Sequence, residues 1–194
     1  ISAQPEDGGR IHLVQERLRR GVASPSPFLL RLRKYAHAGR LTDIQQPPLE
    51  RLLQLTIKGK EGVVTLIVEI MGRRSNIILL EEDGTVLECV KHVPASQNRY
   101  RVLLPGYPYV PPPAQQKADV AALTPARLTK VLERQEPARP LWRKLVASLR
   151  GVSPLLAREV VHRVSRDVEC READAQAVLA QLGELLGLTT TNQW

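Results

Sequence analysis

Residues 105–113 of this chain read PGYPYVPPP and hold five of its fifteen prolines. Proline has no amide donor and a fixed φ, so such a run can enter neither a helix interior nor a central strand. It reads as an extended connector and a domain boundary, giving one domain over residues 1–113 and another over 114–194. The hydrophobic pattern changes type across it. The expected class is therefore α+β, an antiparallel β-rich domain followed by an all-α domain.

Ahead of the boundary the pattern is mainly β with one helix. Ser26 is a good N-cap and Pro27 suits the first helical position. Phe28, Leu29, Leu32, Tyr35 and Ala36 then fall on one face of a helix over residues 28–38, which Gly39 stops. Strands are expected over 40–46 and 49–57, joined at Pro47-Pro48, and over 63–71 and 74–80. Asp83-Gly84 is a hairpin turn signal, followed by a return strand over 85–91. Within 63–71 the even positions Val64, Leu66, Val68 and Ile70 are all apolar, which marks one fully buried face. Beyond the boundary four helices are expected, over 125–134, 140–149, 154–164 and 173–186. The first three begin with proline near the N1 position.

Lys and Arg number 28 against 20 Asp and Glu, a formal charge of +8, and a surplus of that size favours polyanion partners. Aromatic residues are 4% of the chain, so the core must be built from Leu, Val, Ile and Ala. Cys89 and Cys170 stand far apart with no CxxC or Cys/His ligand spacing. That disfavours structural zinc and fits a reducing cytoplasm better than a disulfide-built secreted domain. The longest apolar run, 63–71, is broken by Thr65 and Glu69 and is far shorter than the ~20 residues of a membrane span. No signal peptide is visible, although the chain opens at Ile1 and not at Met.

The densest local charge lies between residues 17 and 42. It comprises Arg17, Arg19, Arg20, Arg31, Arg33, Lys34 and Arg40 with no acid, and Tyr35 and His37 stand close by. Cations beside stacking-capable rings suit a nucleic-acid backbone with unstacked bases; the plainer alternative is a solvated helix face. Arg73 and Arg74 are further candidates for backbone contacts to a nucleic acid. Glu50-Arg51 opens a predicted strand, with Arg51 on the side of Leu53, Leu55 and Ile57, where a charge must find a partner or stay at the rim. An edge salt bridge is the plain reading of that pair. Glu69 lies on the second face of its strand, within reach of Arg73, Arg74 or Arg51, and no second carboxylate stands at a catalytic spacing.

Residues 143–166 have the shape of a helix-hairpin-helix. A helix ends at Arg150, Gly151 permits a positive φ, Val152 follows, Ser153 caps and Pro154 starts the next helix. Free N–H groups at such a helix start can hold a phosphate, although αα-hairpins with glycine are also common packing units. His12, His37, His92 and His162 stand in no metalloprotease frame. There is no GxSxG, no Walker loop and no GxGxxG. The expectation is a binding protein, with no catalytic residues, no metal and no cofactor.

Several stretches together resemble one family. They are PEDGGRIHL (5–13), PFLLRLRKYAHAGRLTDIQQPPLERLLQL (27–55), LIVEIMGRRSNIILLEEDGTVLECVKHV (66–93), RYRVLLPGYPYVPPP (99–113) and GVSPLLAREVV (151–161). They are similar to the N-terminal region of NFACT proteins, the fibronectin-binding-protein-A-like group, and the block at residues 69–78 is the most specific. The resemblance implies a first domain related to the N-terminal domain of formamidopyrimidine-DNA glycosylases, then a helix-hairpin-helix domain. It implies a ribosome quality-control role with tRNA and large-subunit RNA as partners, and so makes RNA the nucleic acid that Arg73 and Arg74 would meet. Members bind large subunits carrying stalled peptidyl-tRNA and recruit charged tRNA, alanyl-tRNA in bacteria, for template-free tailing. The family's Asp-Arg pair, tied to tRNA engagement, matches Glu50 and Arg51, the acid being one methylene longer here. The resemblance also implies that the family's first strands precede Ile1, and that a coiled coil and a C-terminal RNA-binding domain follow residue 194.

Two other readings compete. A DNA glycosylase needs an N-terminal proline amine or another positioned nucleophile, usually with a zinc hairpin, and Ile1 and the cysteines do not fit. A surface adhesin that binds fibronectin is the other, and no secretion or wall-anchor signal marks it.

Overall fold

The computed structural model describes residues 10–12, 14–15 and 24–191. The chain divides into two compact units, Ile1–Pro113 and Ala114–Trp194.

In the first unit α1 spans Pro27–Ala36, and the Ser26 hydroxyl accepts from the Leu29 amide at 3.3 Å. The residue that reverses the chain after α1 is Ala38, at φ 56°, and not the expected Gly39. Five strands follow: β1 (Arg40–Gln45), β2 (Leu52–Gly59), β3 (Gly62–Glu69), β4 (Asn76–Leu80) and β5 (Val86–Cys89). They form one antiparallel sheet in sequence order. On one face Val64, Leu66, Val68, Leu79 and Leu87 are buried, with Phe28, Leu32 and Tyr35 of α1 packed against them. Those three positions are one helical face, spaced i, i+4, i+7.

The other face is buried as well, which the alternation in β3 does not foretell. Ile67, Ile78, Leu80, Val86 and Cys89 lie beneath Val93, Leu103 and Tyr109. The chain after β5 doubles back through antiparallel bridges between Val93 and Leu103 and between Thr85 and Pro108. Residues 105–109 are therefore no mere connector. Tyr107 accepts from the Val86 amide at 2.9 Å and the Tyr109 amide donates to Gly84 at 3.0 Å. Pro108 sits between these bonds, where no donor is required.

Two strand starts differ from expectation. Residues 46–51 form a turn, with Leu49 at φ 57°, so β2 begins after Arg51. Consecutive prolines at 47 and 48 cannot supply ladder donors, which delays the strand. Gly72–Arg74 is a 3₁₀ turn whose Ser75 hydroxyl accepts from the Met71 amide at 2.9 Å, so Arg73 and Arg74 precede β4.

The second unit holds α2 (Pro125–Glu133), α3 (Leu141–Ser148), α4 (Pro154–Ser165) and α5 (Ala175–Thr191). Pro125 and Pro154 open their helices, whereas Pro140 is the N-cap of α3. Its core is aliphatic, centred on Leu128, Leu145, Leu149, Val160, Val161 and Leu182. Trp142 is stacked by Arg143 and Arg158, 4.9 and 4.3 Å from the ring centroid. A short 3₁₀ turn, Val120–Ala122, precedes α2, and Ala118 pairs in parallel with Leu149. Among the described residues no helix is long and apolar enough to cross a membrane.

Candidate nucleic-acid interface

The register of the sheet sorts the candidate residues into two groups. Leu52 pairs with Glu69 and Glu69 with Asn76, so the start of β2, the end of β3 and the start of β4 share one end of the sheet. Glu50, Arg51, Arg73 and Arg74 all lie there. Arg40 pairs with Lys58 at the other end of β2, six residues or about 20 Å away. Lys34, at the end of α1, lies 4.0 Å from Glu61 in the β2–β3 turn, so one acid does reach the basic segment. Its ammonium also sits 5.2 Å from the Tyr35 ring centroid. Arg31 and Arg33 are exposed on α1. Arg17, Arg19 and Arg20 lie outside the described residues. Lys58, which the sequence reading missed, faces Arg40 directly. Like charges opposite one another weaken a sheet unless an anion compensates them.

Arg51 is exposed and Glu50 half-buried, and neither is part of β2. The expectation that Arg51 leads the Leu53–Leu55–Ile57 face is corrected by the turn before β2. Backbone bonds hold the pair in place: the Ile70 amide donates to Arg51 O at 2.8 Å and Gln46 Nε2 donates to Glu50 O at 2.9 Å. Both side chains line a cleft of about 420 Å³ with Arg10, Gln46, Leu53 and Ile70.

Next to Arg73 and Arg74 a second cleft of about 420 Å³ is lined by Lys91, Asn98 and Arg101, with no Asp or Glu on its wall. Arg101 is held from behind. It donates to Glu69 through Nη1 at 3.0 Å and also through Nη2, while its Nε donates to Val110 O at 2.5 Å. The Tyr109 hydroxyl donates to the same carboxylate at 2.8 Å. Glu69 is 0% exposed. Its partners are thus Arg101 and Tyr109, and not Arg73, Arg74 or Arg51. They are 32 and 40 residues away, brought in by the doubled-back segment. Burial, then the neighbouring Glu69 charge, raises the Tyr109 phenol above its ordinary range. Lys91 Nζ donates to Arg73 O at 3.4 Å, which holds the half-buried Lys91 beside the exposed Arg73, and among the described residues neither forms an ion pair.

Glu88, Cys89 and His92 bring three potential ligand atoms within 4.8 Å of one another. The thiol does not suit a metal. It is 3% exposed and donates to Lys91 O and Leu103 O. Burial, then the Glu88 charge, pushes it up to about 12. Glu88 instead accepts from the Cys89 amide and contacts His92 Nε2 at 2.7 Å.

In the helical unit Gly151 has φ 76°, Val152 is buried and the Ser153 hydroxyl accepts from the Leu156 amide at 3.1 Å. Ser153→Ala is expected to lower the stability of this unit by about 1 kcal/mol, the usual worth of an N-cap. A thermal melt followed by Trp142 fluorescence checks it, and an unchanged melt would show the cap to be idle.

The profile of NFACT N-terminal and middle domains matches residues 1–193. A Bacillus subtilis (strain 168) protein named Rqc2 homolog RqcH is 37% identical over 169 residues, covering 84% of this chain and 29% of that protein. The Rqc2 homolog RqcH of Streptococcus pneumoniae D39 is 37% identical over 142 residues, 70% of this chain and 25% of the relative. The chain thus spans about a quarter of the length of these relatives. The solved N-terminal part of a fibronectin/fibrinogen-binding protein from Streptococcus suis superposes with TM-score 0.70 at 30% identity, over 93% of this chain and 66% of that one.

Proposed function

The chain belongs to the family of NFACT N-terminal and middle domains, and from that membership we propose that it is an RNA-binding part of a ribosome-associated quality-control factor. In this reading it acts in the cytoplasm on stalled large ribosomal subunits carrying peptidyl-tRNA. It helps recruit charged tRNA, alanyl-tRNA in bacteria, for template-free extension of the stalled chain. It binds and positions, and it carries no catalytic residue or cofactor. The sheet unit is a relative of the glycosylase N-terminal domain, and the α3–α4 turn is a helix-hairpin-helix. One observation carries the reading: Arg73, Arg74, Lys91 and Arg101 ring a cleft without a carboxylate on its wall, at the sheet end that also bears Glu50-Arg51. Arginine forks suit phosphate oxygens and base edges. Arg73 and Arg74 are exposed there, while the Arg101 fork is taken up by Glu69 and Val110 O and shapes the cleft wall.

The test is tRNA binding by the chain across a salt series. Arg73→Gln with Arg74→Gln should lower the log–log salt slope by roughly 1.5, at about 0.7–0.9 per phosphate contact. Arg31, Arg33 and Lys34 changed together to Gln should lower it further. Arg51→Ala should weaken binding about tenfold, the worth of a charge-assisted hydrogen bond, and Arg51→Lys should resemble it, because lysine keeps the charge and loses the fork. Glu50→Asp should be tolerated. Full affinity in a folded Arg51→Ala chain would return that residue to a solvated rim. The name of the Streptococcus suis neighbour supports a second reading, fibronectin binding. Capture of the chain by immobilised fibronectin, with no tRNA binding, would favour it.

A further inference from the structure

Another basic cleft lies wholly within the helical unit. It has a volume of about 500 Å³, and its wall includes Lys117, Arg127, Lys130, Arg134 and Ser148, with no Asp or Glu. Arg127, Lys130 and Arg134 are spaced i, i+3, i+7 from the first turn of α2 to its C-cap, which puts them on one helical face. Lys117 comes from the opposite wall, where backbone bonds fix the chain against the end of α3. The Ala118 amide donates to Ser148 O at 2.8 Å, and the Arg150 amide donates to Ala118 O at 2.9 Å.

Charge placement here works against folding alone. Like charges one turn apart repel, and Arg127 sits at the positive end of the α2 dipole, where an acid is preferred. Two arginines elsewhere in the unit meet acids, Arg150 at Asp119 and Arg163 at Glu159 and Glu184, and two more, Arg143 and Arg158, stack on Trp142. Among the described residues no ion pair is formed by Lys117, Arg127, Lys130 or Arg134. Ser148, on the same wall, is 6% exposed, and its Oγ has no hydrogen-bond partner. Buried hydroxyls are rarely left so.

We propose that this cleft is a phosphate-binding site that takes consecutive phosphates of an RNA backbone, with Lys117, Lys130 and Arg134 as the main contacts. The Ser148 hydroxyl, buried in the wall without a partner, donates to a phosphate oxygen once its side chain rotates toward the cleft. The cleft wall carries no aromatic ring, so nothing there stacks a base, and the site reads backbone and not sequence. The proposal rests on the RNA-binding reading above but uses residues that reading does not. It is separate from the turn at Gly151, whose Ser153 hydroxyl is already engaged in capping α4.

The experiment compares the wild-type chain, Lys117→Gln/Lys130→Gln/Arg134→Gln, and Arg73→Gln/Arg74→Gln for tRNA affinity against salt. Circular dichroism verifies that each is folded. The cleft variant should bind at least tenfold more weakly at 0.1 M salt, with a slope lower by about 2, near 0.7 for each single-strand phosphate contact. In parallel, pyrophosphate is titrated into the wild-type chain and amide shifts are followed at residues 117, 130, 134 and 148. Those shifts should appear and should vanish in the cleft variant. Unchanged affinity and slope in the folded cleft variant would overturn the proposal, and a loss in the Arg73/Arg74 variant alone would leave the wider RNA reading intact. Pyrophosphate shifts at the cleft without any tRNA binding by the wild-type chain would sink the RNA reading and the RNA part of this proposal together, leaving a small-polyphosphate site. If the cleft variant fails to fold, Arg127→Gln/Arg134→Gln, at exposed positions of α2, makes the same comparison.

Discussion

Gly59→Ala is expected to destabilise the sheet unit by about 3 kcal/mol, the upper end of the usual cost of overpacking. A Cβ built at Gly59 would lie 1.9 Å from the carbonyl oxygen of Tyr35 and 3.1 Å from its carbon. Both are backbone atoms in the last turn of α1, so no rotamer change relieves the clash. Either α1 lifts from β2 and β3, uncovering Phe28, Leu32 and Tyr35, or the β2–β3 hairpin shifts its register. Gly62, paired with Gly59 across the hairpin, is the control. It has φ 120° and nothing within 4 Å of a built Cβ, so Gly62→Ala meets conformational strain alone, about 1 kcal/mol. Hydrogen exchange of β2 and β3 amides in the two variants separates the effects. Equal loss of protection in both would mean that the α1–β2 approach is looser than 1.9 Å implies.

Arg101→Met should be more damaging still, at about 3–5 kcal/mol, because it strands the Glu69 carboxylate in the interior. Glu69 is 0% exposed and the Arg101 side chain only 11%, so solvent offers little compensation. Glu69→Gln together with Arg101→Met should recover much of the loss, since neither change then leaves a charge unpaired. Tyr109→Phe should cost less, about 1.5–3 kcal/mol, the worth of one hydrogen bond to a charged group. Urea unfolding of the three variants and the wild-type chain reads these differences. A double variant no better than Arg101→Met would show that the charge pair is not the origin of the effect. The pH dependence follows from the same burial. The folded-state pKa values of Tyr109 and Cys89 are both raised, so the unfolded chain ionises first. The stability they contribute is fully present below about pH 8.5, the ordinary thiol value, and begins to fall above it. It falls more steeply above about 10, where an unfolded tyrosine ionises, and goes on falling until the pH passes the raised folded values, about 12 for Cys89. Tyr109→Phe removes the later part of the decline.

The same pair marks how far the sequence could be read. Ser26 before Pro27, Ser153 before Pro154 and Asp83-Gly84 between two apolar runs announce a helix start, a helix start and a hairpin. Each depends on residues within a few positions of one another. Residues 46–51 stay in a turn behind two prolines, which the apolar run over 49–57 does not announce, so Arg51 stands outside the strand face that alternation assigns to it. The Asp-Arg match at Glu50-Arg51 was legible only through family resemblance. Lys58, Lys91, Arg101 and the α2 cleft were not legible, since each lone cation looks in sequence like any solvated charge.

Periodicity and caps by themselves determined the β-rich half, the helical half and most element boundaries, because backbone hydrogen bonding and side-chain alternation are local and repeat along the chain. The tertiary structure alone decided that both faces of the sheet are buried, that Glu69 belongs to Arg101 and Tyr109, and that cations from separate segments share clefts. The first two outcomes, and the cleft at Arg101, hang on a segment folding back over 32 to 40 residues. A single non-local closure of that kind leaves no repeating mark in the sequence, and its free energy comes from burying the second face of the sheet as a whole.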